Sequence, residues 1–156
     1  MAVRLGEAMV QLGLLSEEQV ETILEEQRRD HRPFGDLAER LFGVDPAAVD
    51  RAWAEQYASI AHSVDPRQER YDREALQLVS ARQAWQFRVL PIRRDGGEIM
   101  VATTKRDLPR ALRFAMRRFA LPVYFVIAEA EALGEALEDR FPFAGMSAED
   151  LRSEAA

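Results

Sequence analysis

The sequence predicts an α+β fold, in which an N-terminal helical subdomain precedes a small α/β subdomain with a three- to four-stranded sheet. Three observations predict it. Apolar residues in the first 57 positions recur at helical spacing. Residues 87–93, 98–102 and 123–128 are rich in the β-branched and aromatic residues of strands. The segment 4–27 also recurs, imperfectly, at 33–56, an offset of 29 residues, and an internal repeat sets the architecture of a chain.

The first copy of the repeat reads as a short helix followed by a longer one. Leu5, Met9 and Leu12 share one helical face, and Gly13 ends that helix. The capping box Ser16-Glu-Glu-Gln then begins the second helix.

The second copy repeats this arrangement with different residues. Residues 34–42 read as the short helix, Gly43 ends it, and Asp45 followed by Pro46 begins the longer one. Residues 1–57 are therefore expected to form four short helices in two tandem hairpins. Two similar units that face one another share a groove of approximate two-fold symmetry, which suits a ligand of the same symmetry.

Residues 58–142 are expected to form the α+β subdomain. After an irregular stretch to residue 71, helices are predicted over 73–83, 108–119 and 129–140. The strands at 87–93 and 98–102 are joined through Asp95-Gly96-Gly97, a strong hairpin signal, and the third strand is 123–128. Residues 143–156 are small, charged and polar, and a flexible tail is expected there.

Composition excludes several classes of function. A net charge of −6 argues against DNA or RNA binding, although a few arginines can still hold a small phosphate ligand. Without cysteine, the chain has no disulfide, zinc knuckle or catalytic thiol. No run approaches the roughly 20 apolar residues of a membrane span, and the start does not resemble a signal peptide. A cytoplasmic protein without direct membrane insertion is expected.

The sequence also lacks recognisable catalytic patterns. No GxxxxGK[ST] loop exists to cradle phosphates, and His31 and His62 lack ligand-like spacing, so surface positions are expected for both. No serine has a nucleophile-elbow context. We therefore expect no catalytic residue, no metal and no cofactor.

One segment of the repeat has the chemistry of a ligand contact. Gly6 lets a ligand approach the backbone closely, and Arg4 can make a planar, bidentate contact with guanine or phosphate. Asp36, after the second repeat glycine, can accept from guanine N1 and N2. The alternative is that the glycines serve close helix packing and Arg4 is a surface charge. Spacing alone leaves both interpretations open.

A second feature is a basic helix. Its residues are Arg110, Arg113, Arg117 and Arg118, and they form either a solvated amphipathic face or a patch that meets an acidic partner or a phosphate.

At residues 4–56 the chain resembles the cyclic di-GMP-binding MshEN module, the N-terminal domain of type II secretion and type IV pilus assembly ATPases. That family carries two motifs of the form RLGxxLxxxGxxxxxxLxxxLxxQ. The first motif here runs through Arg4, Leu5, Gly6, Met9, Gly13, Val20, Leu24 and Gln27. In the second, Pro33 and Phe34 replace Arg-Leu, Ala38 replaces Leu, Gly43 falls one place late, and Val49, Trp53 and Gln56 fill the other positions. The resemblance covers roughly residues 3–142.

The resemblance implies that each motif takes one half of cyclic di-GMP through apolar and backbone contacts with arginine assistance, and that Arg32 substitutes for the arginine lost at Pro33. It assigns ligand contacts to Arg4, Leu5, Gly6, Met9, Gly13, Leu24, Gln27, Arg32, Phe34, Gly35, Asp36, Ala38, Trp53 and Gln56.

The expected function is a non-enzymatic receptor that signals to a protein partner, either secretion or pilus machinery or another signalling protein. The alternative is an adaptor of the same fold that docks on a secretion or pilus component without nucleotide. Because the family's ATPase domain does not follow, the chain is expected to be a fragment or a stand-alone regulatory protein.

Overall fold

The structure is a computed structural model that describes residues 3–11, 13–45, 54 and 57–155. It confirms the α+β class. The helices are α1 (Leu5–Gln11), α2 (Glu17–Asp30), α3 (Phe34–Phe42), α4 (Arg73–Leu76), α5 (Ala81–Phe87), α6 (Leu108–Arg118), α7 (Ala130–Arg140) and α8 (Ala148–Ala155), and residues 57–60 are also helical. The strands are β1 (Val3–Arg4), β2 (Leu90–Asp95), β3 (Glu98–Thr103) and β4 (Val123–Ile127).

The sheet is mixed, with strand order β1-β4-β3-β2. Strands β2 and β3 form the predicted antiparallel hairpin, in which Asp95 pairs with Glu98 across the two-residue turn. Gly96, at the first turn position, has a φ of +66°, which glycine adopts without steric cost. Helix α6 connects β3 to the parallel strand β4, and β1 pairs antiparallel with the other side of β4.

The expectation that residues 1–57 form only helices is wrong near its start. Val3 pairs with Phe125 and Arg4 with Tyr124, so Arg4 belongs to an edge strand and not to a helix. A two-residue strand has no periodicity of its own. It forms because β4 offers an unpaired edge, which is a tertiary effect that local sequence does not encode.

The helices of the repeat end and begin as predicted where the structure describes them. The Ser16 hydroxyl accepts from the Gln19 amide nitrogen at 3.1 Å, and the Gln19 side chain accepts from the Ser16 nitrogen at 2.8 Å. Gly13 and Gly43 follow α1 and α3 with left-handed φ values of +73° and +63°. The fourth helix, predicted to begin at Asp45 and Pro46, falls on residues 46–53, 55 and 56, which lie outside the described set.

The helix predicted over 73–83 is wrong. The chain forms two short helices there, because a second capping box interrupts the run: Ser80 and Gln83 exchange hydrogen bonds of 2.9 and 3.1 Å at the start of α5. Helix α5 then continues through Phe87, and Arg88 ends it with a left-handed φ of 54°. Strand β2 therefore begins at Leu90, later than the predicted residue 87.

A flexible tail was expected from residue 143, but α8 forms a helix there. The Ser147 amide nitrogen donates to the Asp150 carboxylate at 2.7 Å, which caps the helix start. A Cβ on Gly134 of α7 would lie 2.7 Å from the Ala148 Cα, so the two helices pack closely, and Leu151 is buried. The division between residues 1–57 and 58–142 stays a prediction, because much of the link lies outside the described residues.

Candidate functional site

A cavity of about 640 Å³ lies where α1 and α2 meet one end of the sheet. Three residues of the predicted site, Gly6, Leu24 and Phe34, line it. Val10 and Val20 extend its apolar wall, and from the sheet come Val123 and Glu98, the first residues of β4 and β3. Parallel pairing aligns these two strand starts, with Ile99 beside Val123. The cavity thus joins the first repeat copy to the second half of the chain.

Carboxylates surround this cavity. Its acidic lining residues are Glu7, Glu17, Glu18, Glu21 and Glu98, and its described lining contains no arginine or lysine. Carboxylates repel a phosphate, but they accept hydrogen bonds from N–H donors such as those at guanine N1 and N2. The described surface therefore favours a group that presents N–H donors over a phosphate.

The two repeat glycines sit at close helix contacts. A Cβ on Gly6 would lie 2.6 Å from Val20 Cγ1, and one on Gly35 would lie 2.5 Å from the Met116 Cβ. Close packing, the alternative left open by the sequence, therefore accounts for a glycine at both positions. Gly6 is half-buried and also faces the cavity, whereas Gly35 is buried between α3 and α6.

Arg32 and Asp36 lie together, away from the cavity lining. Arg32 Nε donates to Asp30 at 2.7 Å, and Arg32 Nη1 lies 3.5 Å from the Asp36 carboxylate, which Arg40 also approaches at 3.6 Å. The hydrogen bond that Arg32 donates to the Asp30 carboxylate raises the pKa of the Arg32 guanidinium. A phosphate at Arg32 would have to compete with two carboxylates that already engage it.

Gln27, the last residue of the first motif, is buried and holds a loop. Its Nε2 donates to the Arg32 carbonyl oxygen at 3.0 Å, which fixes the connection between α2 and α3. Its Oε1 is also buried, and no described group donates to it. The glutamine positions the loop before α3 and does not line the cavity.

The remaining predicted contacts divide into three groups. Met9 and Ala38 are core residues, 1% and 0% exposed. Gly13 is exposed in the turn after α1. The backbones of Arg4 and Leu5 join β1 to α1 beside Gly6, while their side chains, and both Trp53 and Gln56, lie outside what the structure describes.

Sequence reasoning missed the cavity residues that come from outside the repeat. Glu98 and Val123 begin strands more than 60 residues beyond the repeat's first copy, and no spacing in the sequence connects them to it. Val10, Glu17 and Glu21 lie within the repeat, but the family motif leaves these positions open, so it did not single them out.

Within the described residues, no group of three or more His, Asp or Glu side chains is arranged to hold a metal ion. None of the helices described combines the length and the apolar character needed to cross a bilayer.

Comparison with known proteins gave a family match in the second half of the chain. The MshEN domain family model matches residues 57–146. Two solved structures resemble the chain: MshE with cyclic di-GMP, at 25% identity and a TM-score of 0.45, covering 89% of this chain and 99% of that one; and the N-terminal domain of XpsE, at 21% identity and a TM-score of 0.41, covering 86% and 92%. The search of curated proteins gave no significant match.

Proposed function

The chain belongs to the MshEN domain family, and from that premise we propose that it is a non-enzymatic receptor domain that binds cyclic di-GMP and passes the signal to a protein partner. One observation carries the proposal. The first motif, from Arg4 to Gln27, resembles the family's motif, and three of its residues, Gly6, Val20 and Leu24, line a single cavity. The volume of about 640 Å³ is within the usual range for small-molecule sites.

The lining suits a guanine base. Val20, Leu24 and Phe34 form an apolar wall against which a flat base can pack. The carboxylates of α2, such as Glu21, accept hydrogen bonds at the rim, and guanine presents two adjacent donors, N1–H and N2–H. The base would enter the cavity with this edge toward the carboxylates.

The phosphates need a cation, and the first motif supplies Arg4. It lies two residues before Gly6, at the point where β1 becomes α1. An arginine can bind phosphate through two parallel N–H bonds, so it is the residue of choice for this contact. In this arrangement the phosphates lie on the Arg4 side of the cavity and the guanine edge lies on the α2 side.

Calorimetric titration with cyclic di-GMP tests the proposal. Arg4→Ala should weaken binding by about 1–3 kcal/mol, or roughly 5- to 150-fold, through loss of one bidentate contact. Arg106→Ala, at an exposed arginine outside the cavity lining, is the control and should bind like the wild type. A wild type that gives no binding heat at high micromolar nucleotide would rule out the receptor function.

A second candidate is an adaptor that docks on a secretion or pilus component without nucleotide. The acidic lining of the cavity favours it, because a dianionic ligand meets five carboxylates there, whereas a basic protein surface would be attracted. The same titration separates the two functions: an adaptor of this kind gives no heat with cyclic di-GMP.

A further inference from the structure

A second cavity, of about 570 Å³, lies between α5 and α6 and is strongly basic. We call it the arginine groove. It is lined by five arginines, and the described lining contains no carboxylate: Arg82 comes from α5, and Arg110, Arg113, Arg117 and Arg118 come from α6. In a chain of net charge −6, this is a marked segregation of positive charge onto one face.

The groove has a packed aromatic floor. The rings of Phe87 and Phe114 stack with their centroids 4.4 Å apart, and Phe119 meets Phe114 edge-on at 5.9 Å. Arg110 Nη1 donates to the Gln86 carbonyl oxygen at 3.0 Å and so links the two helices that form the walls. The arginines are therefore presented from a fixed surface.

The positive charge of the groove is only partly balanced within the chain. Arg117 lies 3.6 Å from the Glu39 carboxylate of α3, in an exposed contact of the kind that contributes little to stability. Arg82 and Arg118 form no ion pair with any residue that the structure describes. An acidic surface that covers the groove would gain several such pairs at once.

The chain itself carries a surface of matching charge. The first turns of α2 present Glu17, Glu18 and Glu21, all exposed and without an ion pair to a described residue. Glu17 and Glu21 are four residues apart on their helix, as Arg113 and Arg117 are on α6. Side chains at this spacing are neighbours, with about 5–6 Å between their Cβ atoms, so two carboxylates can face two guanidinium groups.

We propose that, when no nucleotide occupies the first cavity, the arginine groove is a self-association surface that receives the acidic first turns of α2 from a second copy of this chain. Charge complementarity sets the register: Glu17 and Glu21 of one copy meet Arg113 and Arg117 of the other. Because the contacts are exposed ion pairs, the association is strongest at low ionic strength.

Sedimentation equilibrium at low salt tests this proposal through a charge swap. The wild type should show a weight-average mass that rises with concentration above the 17.7 kDa of one chain. Two double variants reverse the charges: the groove variant Arg113→Glu/Arg117→Glu and the helix variant Glu17→Arg/Glu21→Arg. Each should associate at least about tenfold more weakly than the wild type. An equimolar mixture of the two variants should restore association, because the reversed groove then meets the reversed helix.

The control is Arg70→Glu/Arg106→Glu, which changes the net charge equally at two exposed arginines outside the groove and should associate like the wild type. Circular dichroism checks that each variant is folded, and Arg113→Gln/Arg117→Gln replaces the groove variant if reversal unfolds it. A wild type that stays monomeric at low salt overturns the proposal. The proposal is also overturned if the groove variant associates like the wild type, or if the mixture of the two variants remains monomeric.

Discussion

Gly35 in α3 lies directly against the backbone of Met116 in α6: a Cβ at position 35 would be 2.6 Å from the Met116 carbonyl oxygen. Backbone cannot move away as a flexible side chain can. We therefore expect Gly35→Ala to lower the free energy of unfolding by about 1–3 kcal/mol, the range of overpacked cores. Urea denaturation followed by circular dichroism measures the change.

Two other glycines provide comparisons for this prediction. At Gly6 the nearest atom is a side-chain methyl of Val20, at 2.6 Å, so Gly6→Ala should be less destabilising than Gly35→Ala. Gly97 has no atom within 4 Å and a φ outside the left-handed region, so Gly97→Ala should be close to neutral. Equal effects at positions 35 and 97 would contradict the packing argument.

The phenol of Tyr57 is buried and bonds to the middle of β4. It accepts from the Phe125 amide nitrogen at 2.6 Å. Tyr57→Phe leaves that N–H without an acceptor, so at neutral pH the variant should be less stable by about 1–3 kcal/mol. Chemical denaturation of the two proteins under identical conditions measures this difference.

The tyrosines also make stability depend on alkaline pH. Burial raises the pKa of Tyr57 and of Tyr124, and it raises the pKa of Tyr71 to about 12. Unfolded tyrosines ionise near pH 10 while the folded ones stay protonated, so unfolding releases protons and the free energy of unfolding falls as pH rises above about 10.

The wild type should therefore lose stability between about pH 10 and pH 12, and Tyr57→Phe should lose less, by up to about 1.4 kcal/mol per pH unit. Denaturation at several pH values measures both slopes, and tyrosinate absorbance reports ionisation directly. Equal slopes in the two proteins would mean that Tyr57 ionises in the folded state as it does in the unfolded chain.

Local signals predicted many of the elements but not their tertiary partners. The capping box at Ser16 and the hairpin at Gly96 are short-range patterns, and the structure has both where the sequence places them. The second capping box, at Ser80, is equally local, but the helical spacing of apolar residues over 73–83 led to the prediction of one continuous helix. Strand β1 and helix α8 form because β4 and Gly134 offer them surfaces to pack on, and that information lies far away in the chain.

The candidate site was harder to predict from the sequence, because it too depends on tertiary contacts. The repeat indicates which residues are alike, but not which side of each helix meets solvent. Leu24 faces the cavity, whereas Met9, another position of the same motif, is in the core. The set of carboxylates around the cavity was missed because it includes Glu98 at the start of β3 together with residues of α1 and α2, and no spacing in the sequence predicts that they meet.

Helix α8 is held to α7 by a contact that only a small residue allows. A Cβ on Gly134 would lie 2.7 Å from the Ala148 Cα, so the branched side chain of Gly134→Val should displace α8. We expect faster amide hydrogen exchange at residues 148–155 and faster proteolysis near Gly145. Gly145→Asn, in the exposed turn before α8, keeps a residue tolerant of positive φ and is the control. Unchanged exchange in Gly134→Val would contradict this account.

Leu24 provides the sharpest test of the nucleotide cavity, because it lines the apolar wall and is only half-buried. Leu24→Asp should abolish cyclic di-GMP binding because it places a charge in the apolar wall against which the base packs, while Leu41→Asp, at a leucine that is 45% exposed on α3, should leave binding unchanged.

The carboxylates around the cavity also predict selectivity. Adenine has no N1–H or N2–H donor for them, so cyclic di-AMP should bind at least about tenfold more weakly than cyclic di-GMP. Calorimetry with both nucleotides measures this ratio, and equal affinity would mean that the phosphates alone are recognised, away from the glutamates.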